Sequence, residues 1–170
     1  IYRIDEGAAE IWRAPYPEWP DLSGLASRDS LVSSNEIDGR IVIWSEAGGV
    51  TAVDSEDGGH VLSTVVPLPD SLSGVRHSEE GGWLLLLNNG GVVLLDDLQS
   101  EPEVVRTPGP VSDAVHDGEC WRWTGWRHDG ALRDGEVQCA ARDQFGVALI
   151  GDRVLTNDGT WDNYGLNHSD

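Results

Sequence analysis

Lysine is absent from this chain of 170 residues, so all 11 basic side chains are arginine, and they stand against 30 carboxylates. The formal charge of -19 repels phosphate backbones, which excludes nucleic acid as an expected ligand. Cysteine is nearly absent too. Cys120 and Cys139 can make one bridge at most, so neither a disulfide scaffold nor a four-cysteine zinc site can exist. If residues 121–124 and 137–141 pair as a hairpin, Cys139 faces about Trp123 rather than Cys120, and a bridge would be strained unless the loop slips register, so the two are not necessarily bridged. Long apolar runs are missing. The longest, residues 83–87, is strand-sized, far below the roughly 18 residues of a membrane-spanning helix, so a soluble chain without membrane insertion is expected. No charged stretch followed by an apolar one marks a leader, and Ile1 in place of Met points to a processed chain or a fragment. Also missing are Gly-x-Ser-x-Gly, His-Glu-x-x-His, a Walker loop and the dinucleotide glycines, so no enzyme is expected. No segment carries a helical period.

What is present is a repeat. Residues 42–54 read VIWSEAGGVTAVD and residues 84–96 read LLLLNNGGVVLLD. Aligning Gly49 with Gly91, 42 residues apart, brings Gly48/Gly90, Val50/Val92, Val53/Leu95 and Asp54/Asp96 into register without a gap. A second repeated element lies between units. Pro15-Tyr16-Pro17 precedes Leu22-Ser23-Gly24-Leu25, Pro67-Leu68-Pro69 precedes Leu72-Ser73-Gly74-Val75, and Pro108-Gly109-Pro110 precedes Ser112-Asp113-Ala114-Val115. Proline removes a ladder donor and fixes φ, so these elements should end an outer strand and turn the chain into the next unit.

Each unit then parses as four strands. In the best copy they are 74–77, 83–87, 92–95 and 103–107, joined by the glycine turns at 80–82 and 88–91. The run Leu84 to Leu87 has no polar alternation and should be covered on both faces. Residues 30–37 read as a loop. Beyond Glu119 the register loosens: 120–124 is a strand, 127–135 is polar and glycine-containing, and 137–141 is a third or a fourth strand. Residues 145–150 and 153–156 are two more strands, with a turn at 157–159. At the other end, 1–5 and 10–14 match a third and a fourth strand. Residues 2–4 are therefore expected beside a strand in the region 153–161, the two ends sharing one blade.

A period of about 40 to 45 residues built from short strands resembles that of β-propeller blades. In detail, Ile41-Val42-Ile43-Trp44, Gly49, Val50-Thr51-Ala52-Val53-Asp54 and Gly58-Gly59 are similar to a blade of the quinoprotein type. Such blades carry a Trp shortly after the last glycine, and Val61-Leu62-Ser63 stands here instead, so no quinone is implied. The Gly-His and Trp-Asp signature of WD repeats is also absent. Residues 156–161, TNDGTW, look like a compressed Asp-box turn of sialidase-like propellers, a structural motif. The resemblance implies one all-β, propeller-like domain over residues 1–170 with about four small antiparallel blades. Propellers host enzymes, lectins and scaffolds alike, so the fold does not choose among them.

Two groups of residues are candidate sites. His77 and His116 hold similar places after the repeated link, each near an acid, Glu79 and Asp117. If the first strands line a channel, these four, with Asp29 and Asp152, could converge on a cation; otherwise they are strand-end residues facing water. Eight Trp against one Phe is an unusual aromatic choice, and Trp121, Trp123 and Trp126 fall within six residues. Exposed, they would suit a protein interface or sugar rings; buried, they pack between blades. The acidic, lysine-free composition is similar to that of proteins from salt-adapted microbes, and a high-GC genome gives the same bias. Together these readings predict a non-catalytic binding or structural module with protein partners in a larger assembly, a virion or a cell-surface complex, outside the cell or on the particle. The alternatives are a glycan-binding lectin and a hydrolase with its site at the channel mouth. No cofactor is expected beyond the channel cation.

Overall fold

The computed structural model describes residues 2–4, 6–7, 10–14, 19, 32–133 and 135–166. All regular structure among them is β-strand, and no helix among them is long and apolar enough to cross a membrane. The expected Pro15-Tyr16-Pro17 link, the Leu22-Ser23-Gly24-Leu25 element after it and Asp29 lie outside the described residues. Two compact units, Ile1–Leu72 and Ser73–Asp170, divide the chain.

In the first unit, β1 (Tyr2–Ile4) and β2 (Glu10–Arg13) make a two-stranded antiparallel sheet. A four-stranded sheet follows in chain order from β3 (Val32–Ile37), β4 (Arg40–Ser45), β5 (Gly49–Asp54) and β6 (His60–Val65). The apolar runs IVIW and GVTAV lie on the two middle strands, and Val42 and Val50 are fully buried. Burying a side chain of this size contributes about 1.5 to 3 kcal/mol, so the inner pair anchors the sheet while β6 stays largely in water. Trp12 closes one side. It packs with Ala14 and Val53, and its indole N–H donates to the Ser55 carbonyl at 2.9 Å.

The loop expected over 30–37 is instead the strand β3, a correction with a clear cause. Its Ser-Ser-Asn-Glu run is polar because four of its positions face solvent. Asp38 and Gly39, with φ of 49° and 71°, turn it tightly into β4, pairing Ile37 with Arg40. Two residues at positive φ are what a two-residue hairpin turn needs.

The second unit holds two four-stranded sheets and one of three, all antiparallel and in chain order. The first sheet is β7 (Leu72–Ser78), β8 (Gly82–Leu87), β9 (Val92–Leu95) and β10 (Glu103–Val105). The second is β11 (Val111–His116), β12 (Trp121–Gly125), β13 (His128–Arg133) and β14 (Glu136–Ala141), and the third is β15 (Gly146–Ile150), β16 (Arg153–Thr156) and β17 (Trp161–Asn163). Leu84 to Leu87 are buried on both faces, as the unbroken run predicts. Leu84, Leu86 and Val92 pack against Val111, Ala114, Trp121 and Trp123 of the next sheet.

Asp113 ties the first strands of the three sheets together. Its carboxylate accepts Arg76 of β7 at 2.7 and 3.0 Å and the Leu149 amide of β15 at 2.8 Å.

Two further expectations are corrected. The polar stretch 127–135 contains β13, which separates β12 from β14, so Cys139 lies opposite Gly130 and the anticipated hairpin does not form. Both cysteines are free thiols. Arg153–Thr156 carries β15 on one side and β17 on the other, while Tyr2–Ile4 pairs with Glu10–Arg13. The ladder expected between the chain's two ends is thus not among those of the described residues. Along β17, Arg153 donates to the carbonyls of Trp161 and Asp162, and Arg142 donates to that of Asn163.

Candidate functional site

The repeat explains where the second unit breaks its own pattern. At the turn between second and third strands, Gly48 and Gly90 sit at φ of 93° and 97°, and a Cβ on either would strike the link that follows. On Gly48 it would lie 2.4 Å from the Val66 carbonyl oxygen, and on Gly90 3.0 Å from Gly109. In the third copy the turn is Trp126-Arg127, and Arg127 takes the positive φ, 59°, with a full side chain. The link beside it is residues 142–145, without the Pro-x-Pro pattern of the earlier copies. Where the first two copies press backbone on glycine, the third stacks Trp126 on Phe145, ring centroids 5.1 Å apart and planes 13° from parallel. Arg127 holds its guanidinium 5.7 Å from the centre of the same Phe145 ring. Trp126 remains 58% exposed.

The turn is held from three sides. The Trp126 amide donates to the Pro110 carbonyl at 3.0 Å, and the Arg142 amide donates to the Arg127 carbonyl at 2.8 Å. The imidazole Nδ1–H of His128 donates to the Trp126 carbonyl at 2.9 Å, which fixes the tautomer. Beneath lies a buried polar cluster. Asp129, fully buried, accepts the Thr124 hydroxyl at 2.7 Å, Arg142 at 2.6 Å and the Gly165 amide at 2.7 Å. Arg142 also reaches Asp162 at 3.1 Å. Beside it Arg122 pairs with Asp152 at 2.8 Å and lies 4.1 Å from the centre of the Tyr164 ring. Burial, opposed by Arg122, pushes the Tyr164 hydroxyl well above its ordinary pKa. It stays a neutral donor, bonded to the Gly130 carbonyl. A rigid floor of this kind fixes the exposed rings above it, as a binding surface requires.

Of the three tryptophans singled out in the sequence, only Trp126 is available to a partner. Trp123 is fully buried, its ring against Gly130, and Trp121 is buried with its indole N–H donating to the Gly81 carbonyl at 2.9 Å. Trp121 and Trp123 lie within β12, buried along its whole length, while Trp126 falls in the turn after it, so the buried pair follows the packing alternative. The histidines are equivalent, as expected, but in packing. His77 lies 4.5 Å from Trp83 and His116 5.3 Å from Trp121, so each ring at the end of a first strand rests on the Trp at the start of the second. His116 Nδ1 accepts the Gly118 amide at 3.2 Å. Asp117 accepts the amides of Glu119 and Cys120, both at 3.0 Å, and Glu79 is exposed. Among the described residues no group of three or more His, Cys, Asp or Glu side chains is placed to hold a metal ion. A groove of about 230 Å³ lined by Gly81, Leu94, Leu95, Asp96, Glu101 and Glu103 lies along the first sheet.

Sequence reasoning missed Phe145 and Arg127. Phe145 is the one phenylalanine of the chain, and Arg127 stands where a repeat-based alignment of turns expects glycine. Both signals were there to be read, but the polar stretch 127–135 hid the turn.

No protein-family model matches the chain, and no curated protein does. Among solved structures it is similar to the WD40 domain of Neurospora crassa Pan2, at 16% identity and a TM-score of 0.62, over 88% of this chain and 49% of that one. The chain spans about half the length of that domain. At such identity the likeness speaks for fold, and with the antiparallel four-stranded sheets it gives the conclusion: this is an all-β protein of the β-propeller type.

Proposed function

We propose that the chain is a non-catalytic binding module of a larger assembly, such as a virion or a cell-surface complex, and that Trp126, Arg127 and Phe145 form its contact surface. The observation that carries this reading is a large indole, more than half exposed, stacked on a second ring and fixed by backbone hydrogen bonds. Trp and Arg are the residues over-represented where interfaces concentrate their affinity, and turns on a rigid scaffold are where binding residues gather. A rigid surface also loses little conformational entropy on binding. The quinoprotein-like pattern around Gly49 enters this reading as a blade type only, without its cofactor. A salt-adapted source fits the composition, since screening would let a chain of charge -19 approach its partners.

The second reading is a lectin, favoured by the same exposed indole, because an open aromatic face also suits a sugar ring. No observation favours the hydrolase or the channel cation. Immobilised peptide and glycan arrays, probed with the wild-type chain and Trp126→Ala in low and molar salt, separate the two. Peptides retained by the wild type and lost by the variant support the module. Retention of glycans alone would overturn it in favour of the lectin.

A further inference from the structure

We infer that this surface takes a carboxylate-bearing segment of a partner protein, with Arg127 receiving the anion and Trp126 the apolar or aromatic side chain next to it. The inference rests on the binding reading above and names the chemistry of the partner.

Charge pairing within the second unit points there. Arg76, Arg122, Arg133 and Arg142 each pair with a carboxylate of the chain. Arg106, Arg127 and Arg153 make no ion pair among the described residues; Arg153 is spent on backbone carbonyls, and Arg127 lies beside the exposed Trp126–Phe145 pair. The Arg127 side chain is exposed, the guanidinium lies over the Phe145 ring, and no hydrogen bond engages it among the described residues. A guanidinium on an aromatic face is the arrangement that presents a planar fork for bidentate carboxylate binding.

Backbone conformation points the same way. A non-glycine residue at φ of 59° costs about 1 to 2 kcal/mol relative to the right-handed region. The equivalent turns of the other two copies hold glycine at that conformation. Keeping a charged side chain at a strained turn, where the repeat supplies an unstrained solution, is the kind of local conflict that collects at functional sites. A cationic partner segment would meet Arg127 with the wrong sign. The Phe145 face is also already occupied by a cation.

The net charge then sets the salt dependence. At low ionic strength the chain's -19 repels an acidic segment from a distance, while the contact with Arg127 is short-ranged. Screening removes the repulsion first, so binding should hold or strengthen as salt rises, the reverse of an ordinary surface ion pair.

The test uses an array of capped peptides that pair Asp or Glu with a neighbouring aromatic or aliphatic residue. Each is matched to its Asn or Gln counterpart, and hits are measured in solution by titration calorimetry. Wild type is compared with Arg127→Gln, which keeps a non-glycine residue at the strained turn, and with Trp126→Ala. We expect the acidic member of each bound pair to bind at least about tenfold tighter than its amide, as a charge-assisted hydrogen bond gives. Arg127→Gln should erase that preference, Trp126→Ala should weaken both members, and affinity should not fall between 0.1 M and 1 M salt. Peptides that bind through Trp126 with no preference for the acid, or a preference that survives Arg127→Gln, would overturn the inference and leave the binding module standing. If no peptide binds, both fall.

Discussion

Arg142 donates to the carboxylate of Asp129 at 2.6 Å, with the acid wholly out of solvent and the guanidinium almost so. Because the Thr124 hydroxyl and the Gly165 amide share that carboxylate, one buried charge joins β12, the link after β14 and the segment after β17. Breaking a buried pair from one side leaves the other charge uncompensated, which costs about 3 to 5 kcal/mol. Asp129→Asn should therefore cost that much in urea unfolding. Thr124→Val, which removes one hydrogen bond between a neutral donor and a charge, should cost about 1.5 to 3 kcal/mol. A loss under about 1 kcal/mol for Asp129→Asn would show that the cluster is not a linchpin.

Arg127→Gly should stabilise the fold. Glycine adopts positive φ without the steric penalty of a Cβ, so relief of about 1 kcal/mol is expected in the same assay, reduced by glycine's greater freedom when unfolded. Stability gained together with loss of the acidic-peptide preference would mark the arginine as kept for binding. A destabilised variant would mean that the Phe145 contact outweighs the strain.

Acid should loosen the turn between β16 and β17. Asp158 accepts the Thr156 hydroxyl, the Thr160 hydroxyl and the Thr160 amide, and these bonds, the Thr156 one foremost, hold its pKa at about 2 against an ordinary 3.8. A depressed carboxyl stabilises the folded form above its unfolded pKa and loses that contribution as pH falls through the folded value. The protection factor of the Thr160 amide, its exchange rate corrected for the intrinsic pH dependence, should accordingly fall between about pH 4 and pH 2. The same profile in Asp158→Ala would assign the loosening elsewhere.

Thiol titration should count two reactive sulfurs in the denatured, unreduced chain and one in the native chain. Burial pushes both thiols up, Cys120 with the added charge of Asp117, and what separates them is access: Cys139 is exposed, whereas Cys120 is buried. A thiol buried in that way stays inert. No free thiol on denaturation would mean a bridge that the strand register forbids.

Salt should raise the melting temperature, because a charge of -19 on 170 residues repels itself and screening relieves it. An unchanged midpoint between 0.1 M and molar salt would remove the salt-adapted reading and leave the fold untouched.

The repeat made the blades legible, since Val50 and Val92 or Val53 and Leu95 must be buried for either sheet to exist, and the 42-residue offset records that demand. The strands at 92–95 and 153–156 match β9 and β16 residue for residue. Strands were lost where the pattern that identifies them was absent. β3 is polar on four positions and reads as a loop, although Asp38-Gly39 is a strong short hairpin signal. β13 was hidden because His128 and Asp129 look like solvent-facing residues, and only the Thr124 and Arg142 contacts show that they are buried. Of the candidate site, Trp126 was legible as one of three. Its separation from Trp121 and Trp123 depends on β12 being covered on both faces and ending at Gly125, which leaves Trp126 in the turn, and the covering follows from tertiary packing, in part with Leu84 and Val92.

The guanidinium groups along β17 have one more consequence. All three of its carbonyls are engaged by Arg153 or Arg142, so whichever of them point away from β16 are already capped. A stray chain that tried to dock there as one further strand would meet carbonyls already bonded and would first have to displace a charged side chain. Crowded copies of the protein thus have little to template on at that border, and a place where fibre growth commonly starts is closed by two arginines rather than by proline or a bulge.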